Sequence, residues 1–409
     1  MSTSFKYLFF LGNHAALSQG ELLAVSKSFF GDAQMNWRYN EADGVAVLEI
    51  EKKIEAEFFQ NMILQIGGVI KIAEVLREGD NLKVLESEVV DIIPVTEGVK
   101  VYYGFSVYGR KRYELKQLGM TIKRELAERG LKCRWVTSKE TALSSVVVEQ
   151  NYLLERGADI VIYDIGGRVY LGRALAVQPF KELSFRDYGR PGRDDKAGML
   201  PPKLAQIMIN LATFKLTPQL IDDAVVFDPF CGSGTVLSEA ALMGFKNLFG
   251  SDISEKAAAD TKENLEWTKK TYQLATLRYT VEKKSVTEIA EFVPTNSVDM
   301  IITEPFLGPT RGEYDVQKVS KELEDLYEKA IRQFERVLKE SGVVVMLWPI
   351  FRRNERSIFI NPKIDKMQIT RPYLSVLKES RQLSFRETFI YGRTEQRVWR
   401  EIVILTKAL

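Results

Sequence analysis

The residues best placed to do chemistry lie in one stretch, Val225-Val226-Phe227-Asp228-Pro229-Phe230-Cys231-Gly232-Ser233-Gly234-Thr235. An apolar run ends on an acid, turns through Gly-x-Gly and enters the helical run VLSEAALMG. Such a turn is a nucleotide-cofactor loop, because glycines adopt dihedrals barred to other residues and let the backbone approach a ligand closely. The amides at the helix N-terminus can then receive a carboxylate. Asp252 ends the next apolar run, NLFGSD, 18 residues past Gly234. A carboxylate there can accept both hydroxyls of a ribose. A dinucleotide site would continue as G-x-G-x-x-G, whereas Val236 and Leu237 follow here. The plain alternative is a tight strand–helix turn with no ligand; the acid before the loop and Asp252 beyond it argue against that.

Other chemistries find little support. The chain has one histidine, His14, which counts against histidine-based acid–base or triad catalysis. Its two cysteines, Cys133 and Cys231, are far apart and in unlike contexts, so neither a zinc site nor a disulfide framework is expected. Cys231 reads as a small side chain suited to a crowded loop. No run approaches the ~18 apolar residues of a membrane span, and the N-terminal MSTSFKYLFFLGNHAALSQG lacks a basic leader and a small-residue cleavage site. The expectation is a soluble, cytoplasmic protein with no membrane and no metal.

The elements that must position the loop follow from hydrophobic periodicity. From Tyr7 to about Gly67, strand-like YLFFLG and VAVLEI alternate with amphipathic ELLAVSKSFF and EAEFFQNMILQI, a small α+β pattern. From about Val69 to Ala176, strands VKVYYGFSVYG, KCRWVT, DIVIYDIG and RVYLGRALAV flank helices YELKQLGMTIKRELAERG and SSVVVEQNYLLERG. FRDYGRPGRDDKAGMLPP reads as a linker. Beyond it, strands VVFDPF, NLFGSDIS, VDMIITEPF and SGVVVMLWPI alternate with helices, the signature of a parallel doubly wound sheet. Trp267 and Trp348 read as packing residues.

A net charge of +2 over 409 residues hides a gradient. Residues 1–100 carry 9 basic against 15 acidic side chains, and residues 101–200 carry 18 against 12. Chance imbalance is one reading; contact with a polyanion through phosphates is the other.

The motif DPFCGSGT resembles the cofactor loop of S-adenosylmethionine-dependent amino-methyltransferases. The wider pattern resembles the THUMP-containing tRNA guanosine N2-methyltransferases of archaea and eukaryotes, and the likeness covers nearly the whole chain. GGVIKIAEVL at 67–76 resembles the entry to THUMP, with Phe105-Ser106-Val107-Tyr108-Gly109 and Leu143-Ser144-Ser145-Val146-Val147 as internal landmarks. Phe185-Arg186-Asp187, Arg190 to Asp194 and Gly198 to Ala205 resemble the joining segment. Tyr391-Gly392-Arg393 with Arg400-Glu401-Ile402 resembles the closing hairpin of the sheet.

The resemblance implies an α/β fold: a Rossmann-like methyltransferase domain with a seven-stranded mixed sheet at 201–409, preceded by an α+β, ferredoxin-like domain at 1–66, a THUMP RNA-binding domain at 67–177 and a linker at 178–200. It implies S-adenosylmethionine as cofactor, held by Asp228, Phe230, Gly232, Gly234 and Thr235, with Asp252 and Ile253 at its ribose. The target amine would meet Glu304, Pro305 and Phe306. The partner would be tRNA or another structured RNA, docked through Arg110, Lys111, Arg112, Lys123 and Arg134, with methyl transfer to a base amine such as N2 of guanosine. A solvated turn is the plain alternative for Arg110 to Arg112. A DNA or rRNA amino-methyltransferase, and an RNA-binding protein with a degenerate methyltransferase domain, remain open.

Family members usually read Asp-Pro-Pro-Tyr-Gly at the target site. This chain reads Glu304-Pro305-Phe306-Leu307-Gly308, with Leu307 at the aromatic position. Ser285 stands where related enzymes often place an aspartate for the adenine amino group. These departures leave two readings: Phe306 stacks from a shifted position, or the site has lost or changed its substrate.

Overall fold

The computed structural model describes all residues except 1–3, 32, 194–198, 310–311, 354–355, 378–379 and 409, and the Pro218 side chain. Asp194 and Gly198 of the expected joining segment lie outside the described residues. The chain divides into two units. One comprises residues 1–15, 32–65 and 69–182; the other comprises 16–31, 66–68 and 183–409.

The first unit is built on one eight-stranded sheet. Its strands are β1 (Phe5–Leu11), β2 (Met35–Asn40), β3 (Val45–Ile50), β4 (Val69–Gly79), β5 (Val101–Gly109), β6 (Cys133–Val136), β7 (Gly157–Ile165) and β8 (Arg168–Val177). Their spatial order is β2-β3-β1-β4-β8-β7-β5-β6. Pairing is antiparallel except at β5, which runs parallel to β6 and β7. The sheet runs through the boundary expected at 66/67, because β1 pairs with both β3 and β4. The helix Lys116–Glu128 buries Leu118, Ile122 and Leu126, one stripe at four-residue spacing, into a core shared with Tyr103, Phe105 and Ile160. The helix Ala15–Phe30, expected with the N-terminal domain, falls in the second unit from Ala16 on. There Leu17 joins the core of the helix Pro202–Ala212.

The second unit carries β9 (Val225–Asp228), β10 (Asn247–Asp252), β11 (Arg278–Lys283), β12 (Val298–Thr303), β13 (Leu338–Arg353), β14 (Arg356–Phe359), β15 (Met367–Ile369), β16 (Phe389–Tyr391) and β17 (Val398–Lys407). The principal path has the seven strands β11-β10-β9-β12-β13-β17-β15, with β14 on β13 and β16 on β17. β9 to β13 run parallel to one another, while β17 is antiparallel to β13 and β15. This is the expected mixed seven-stranded sheet, extended by two short strands. Apolar cores lie on both faces, which explains why VVVML at 343–347 is apolar without alternation. The helix Val316–Val337 covers one face with Leu323, Tyr327, Ile331 and Phe334, and Asp315 caps its N-terminus by accepting from Gln317 N–H at 2.9 Å. Trp348 is core at 1% exposure, and Trp267 packs on Phe185. Among the described residues, no helix is long and apolar enough to cross a membrane.

Candidate active site

The carboxyl ends of β9, β10 and β12 bring three acids to one end of the sheet. In a parallel sheet every strand opens to the same end, so ligands collect there. Asp228 ends β9, only 2% exposed, and its Oδ1 accepts from Thr303 Oγ1 at 2.7 Å and from Phe230 N–H at 3.1 Å. Burial pushes its carboxyl up to about 7, the charges of Asp252 and Glu304 push the same way, and the two hydrogen bonds pull it down.

The loop that follows is held open from below. Gly232 (φ +54°) has no atom within 4 Å of where a side chain would begin, so its backbone faces free space. Gly234 (φ +81°) lies against Thr261; an added Cβ would fall 2.9 Å from Thr261 Cγ2. Thr261 Oγ1 donates to Gly232 O at 2.8 Å, and Asn264 Nδ2 donates to Ser233 O at 2.7 Å. Thr235 opens the helix Thr235–Leu242, and its hydroxyl accepts from Arg190 Nη1 at 2.6 Å. Cys231 is buried, and burial pushes its thiol well up, so it stays a neutral packing group. At the end of β10, Asp252 Oδ2 accepts from Gly232 N–H at 3.1 Å and Oδ1 from Ser254 N–H at 2.9 Å. Each oxygen keeps lone pairs for a ligand, and the neighbouring Ile253 is 74% exposed.

These features fit the methionine and nucleoside ends of S-adenosylmethionine: a glycine backbone facing open space, a helix N-terminus, an anchored carboxylate and an exposed apolar wall beside it. The joining segment adds to this cradle. It contains the helix Phe180–Tyr188. Arg186 pairs with buried Glu239 at 3.0 Å, and Gly192 exchanges hydrogen bonds with Asn264 in both directions, at 2.8 and 2.7 Å. Sequence reasoning passed over Thr261 and Asn264, because nothing in their local pattern separates them from ordinary helix residues. It named Arg190 in the joining segment and Thr303 at the head of the target segment without foreseeing their bonds to Thr235 and Asp228. Ser285 caps the short helix Val286–Glu291 by accepting from Thr287 N–H at 3.3 Å.

Past β12, Glu304 Oε1 accepts from Arg400 Nε at 2.6 Å. Burial raises its carboxyl, and the Arg400 guanidinium opposes that. Pro305 is buried and Phe306 is 62% exposed, its carbonyl tied to Tyr327 Oη at 2.9 Å. Leu307, at the family's aromatic position, packs instead against the cores on both sheet faces. Gly308 (φ +96°) turns the chain beside Phe351.

In the first unit, Arg110, Lys111 and Arg112 line a cavity of about 590 Å³ together with Lys116, Tyr113 and Trp135. Lys111 Nζ sits 5.2 Å from the centre of the Tyr113 ring. Lys123 and Arg134 are exposed but do not line this cavity. Sequence reasoning missed Trp135, although the alternation in KCRWV puts it and Arg134 on opposite faces of β6.

Comparison with known proteins gives the family of this domain. The family model described as UPF0020, RMKL-like methyltransferase domain, matches residues 190–358. The tRNA (guanine(10)-N2)-dimethyltransferase of Methanocaldococcus jannaschii is 32% identical over 189 residues, 44% of this chain and 48% of that protein. The chain thus spans about half the length of that relative. The "Probable tRNA (guanine(10)-N2)-dimethyltransferase" of Methanothermococcus thermolithotrophicus is 32% identical over 131 residues, 31% of this chain and 74% of that protein. TrmN from Thermus thermophilus, known from its crystal structure, shares the fold with a TM-score of 0.54 at 17% identity, covering 99% of this chain and 100% of that one. The chain belongs to the family of the tRNA (guanine(10)-N2)-dimethyltransferases and carries their RMKL-like methyltransferase domain.

Proposed function

We propose that the chain is an S-adenosylmethionine-dependent methyltransferase acting on N2 of a guanosine in tRNA, in the cytoplasm. The observation that carries this reading is the convergence of the Gly232/Gly234 loop, Asp252 and Glu304 at one end of the second sheet. Asp228, Phe230, Gly232, Gly234 and Thr235 would hold the methionine end of the cofactor, and Asp252 with Ile253 its nucleoside end. When bound, S-adenosylmethionine supplies an electrophilic methyl group to a nucleophile beside it.

The amine on a purine is a poor nucleophile, so the protein's contribution is orientation. Glu304 accepts an N–H bond from the amine, Pro305 stiffens the turn that presents it, and the exposed Phe306 ring stacks on a base drawn out of its helix. RNA docking belongs to residues 67–177 as a THUMP module, through Arg110, Lys111 and Arg112 at the cavity and Lys123 and Arg134 outside it.

The test is methyl transfer from radiolabelled S-adenosylmethionine to tRNA transcripts, followed by nucleoside mass spectrometry. The expected product is N2-methylated guanosine. Methylation of DNA or rRNA alone would reassign the substrate. Cofactor binding without transfer to any nucleic acid would replace this reading with that of an RNA-binding protein bearing a degenerate domain.

A further inference from the structure

Arg400 on β17 reaches the target segment from two strands away, since β13 lies between β12 and β17. Its ion pair with Glu304 is half-buried, with side chains 16% and 15% exposed. The bond uses Oε1 of Glu304, and Oε2 makes no hydrogen bond among the described residues. Glu304 brings one more rotatable bond than the aspartate that the resemblance leads one to expect there. Left unanchored, its carboxylate would spread over several rotamers and lose orientation on meeting a substrate. A guanidinium supplies a directional, charge-assisted anchor.

We propose that Arg400 is a positioning residue that clamps Glu304 through Oε1, in a single rotamer and ionised, and leaves Oε2 as the acceptor for the substrate amine. This inference rests on the reading that Glu304 faces the target base.

The charges around Glu304 support the need for such a clamp. The charge on Glu304 reaches Asp228 of β9 and Tyr327 of the helix Val316–Val337 and pushes the protons of both up. Burial disfavours the charge on Glu304, and the Arg400 guanidinium opposes burial. A protonated Glu304 would present an O–H where an amine needs an acceptor. The Tyr391-Gly392-Arg393 and Arg400-Glu401-Ile402 hairpin therefore closes the sheet and also delivers this cation: Tyr391 pairs with Arg400 across β16 and β17.

The experiment compares wild type with Arg400→Ala, Arg400→Gln, Arg400→Lys, Glu304→Gln and the double variant Arg400→Ala/Glu304→Gln. It uses three measurements: methyl transfer to a tRNA transcript across pH, calorimetry with S-adenosylhomocysteine, and carbon-13 NMR titration of the Glu304 carboxyl in the ligand-free protein, assigned by Glu304→Gln. Arg400→Ala should lower kcat about 100-fold, the scale of a misplaced reacting group, with S-adenosylhomocysteine affinity retained. The Glu304 titration and the acid limb of kcat/KM should move to higher pH. Arg400→Lys should restore the position of the limb but only part of kcat. In the Glu304→Gln background, Arg400→Ala should add nothing.

Unchanged turnover and titration in Arg400→Ala would overturn the proposal, and so would raised turnover, since the pair would then be a block. If the alanine variant does not fold, Arg400→Gln, which keeps a donor and removes the charge, answers the same question. A wild type that binds S-adenosylhomocysteine yet methylates no transcript sinks the proposed function and the acceptor role with it; the NMR titration separates that outcome from a failure of the clamp itself.

Discussion

The hydroxyl of Thr303 lies 2.7 Å from Asp228 Oδ1, which ties the strand that leads to the target segment to the acid that opens the cofactor loop. Both groups are buried, and Asp228 is an acid already pushed up to about 7. Thr303→Val keeps the shape and the β-branching but removes the donor. It should cost roughly 1–3 kcal/mol, the range for stripping a buried charged group of a partner. Urea unfolding against Thr303→Ser, which keeps the hydroxyl, checks this. Equal midpoints for valine and serine would mean that the bond contributes nothing.

Asp252 accepts from two backbone N–H groups, those of Gly232 and Ser254. Asp252→Ala should weaken S-adenosylhomocysteine binding by roughly 1–3 kcal/mol, read by calorimetry. Asp252→Asn should lose less, because one acceptor oxygen survives. Unaltered affinity in the alanine variant would remove Asp252 from the cofactor site.

Glu21 gives stability a pH dependence of known sign. Its carboxylate accepts from Gly67 N–H at 2.9 Å, Gly68 N–H at 2.7 Å and Asn210 Nδ2 at 2.8 Å, with no exposed surface. Burial nonetheless dominates and raises it to about 7. A carboxyl raised on folding binds its proton more tightly in the folded chain, so stability falls as pH rises from about 4.5 to about 7 and then levels. Glu21→Gln should remove that share of the slope, on the order of 1–3 kcal/mol. Urea midpoints at pH 5 and pH 8 test it. A variant with the wild-type slope would place the titration elsewhere.

Much of this site was legible because its signals are local. Asp228, Gly232, Gly234 and Asp252 follow one another along a strand, a turn and the next strand, so their spacing alone predicts the loop. The alternating apolar runs predicted a parallel doubly wound sheet, and the resemblance, not the runs, implied its seven mixed strands. What escaped was what depends on distant chain segments meeting. Arg400 lies 96 positions from Glu304, and Asn264 lies 72 from Gly192. The helix Ala15–Phe30 carries an ordinary apolar pattern that suits either unit, and packing alone decides between them. Position in the motif alone left two readings open at Phe306 and Leu307; Leu307, at the aromatic position, packs inward, and the exposed ring belongs to Phe306.

The cavity lined by Arg110, Lys111 and Arg112 should make RNA binding depend on salt. For each phosphate that a variant no longer neutralises, the slope of log affinity against log salt should fall by about 1. Arg110→Ala and Arg112→Ala should each do so, while leaving S-adenosylhomocysteine binding intact. Lys123→Ala and Arg134→Ala, outside the cavity, separate a local site from a diffuse basic face. Equal losses of affinity from all four variants would favour the diffuse face. No change from any would leave the charge of this region as a solvated turn.

Phe306 and Leu307 make a paired test of where the base stacks. Phe306 is 62% exposed, and its backbone is fixed by the Tyr327 hydroxyl at 2.9 Å, so the ring is presented from a rigid support. Phe306→Ala should remove stacking of roughly 1–3 kcal/mol per base, seen as a fall in kcat/KM for tRNA with thermal stability and S-adenosylhomocysteine affinity unchanged. Phe306→Tyr should retain activity, because it keeps the π face. Leu307→Ala should do the reverse: it opens space between two apolar cores and so lowers the unfolding midpoint, with a smaller effect on kcat/KM at temperatures where the variant stays folded. If instead Leu307→Ala abolishes transfer in a fully folded protein while Phe306→Ala transfers normally, the base sits at the family's usual aromatic position, and the exposed ring of Phe306 has no part in holding it.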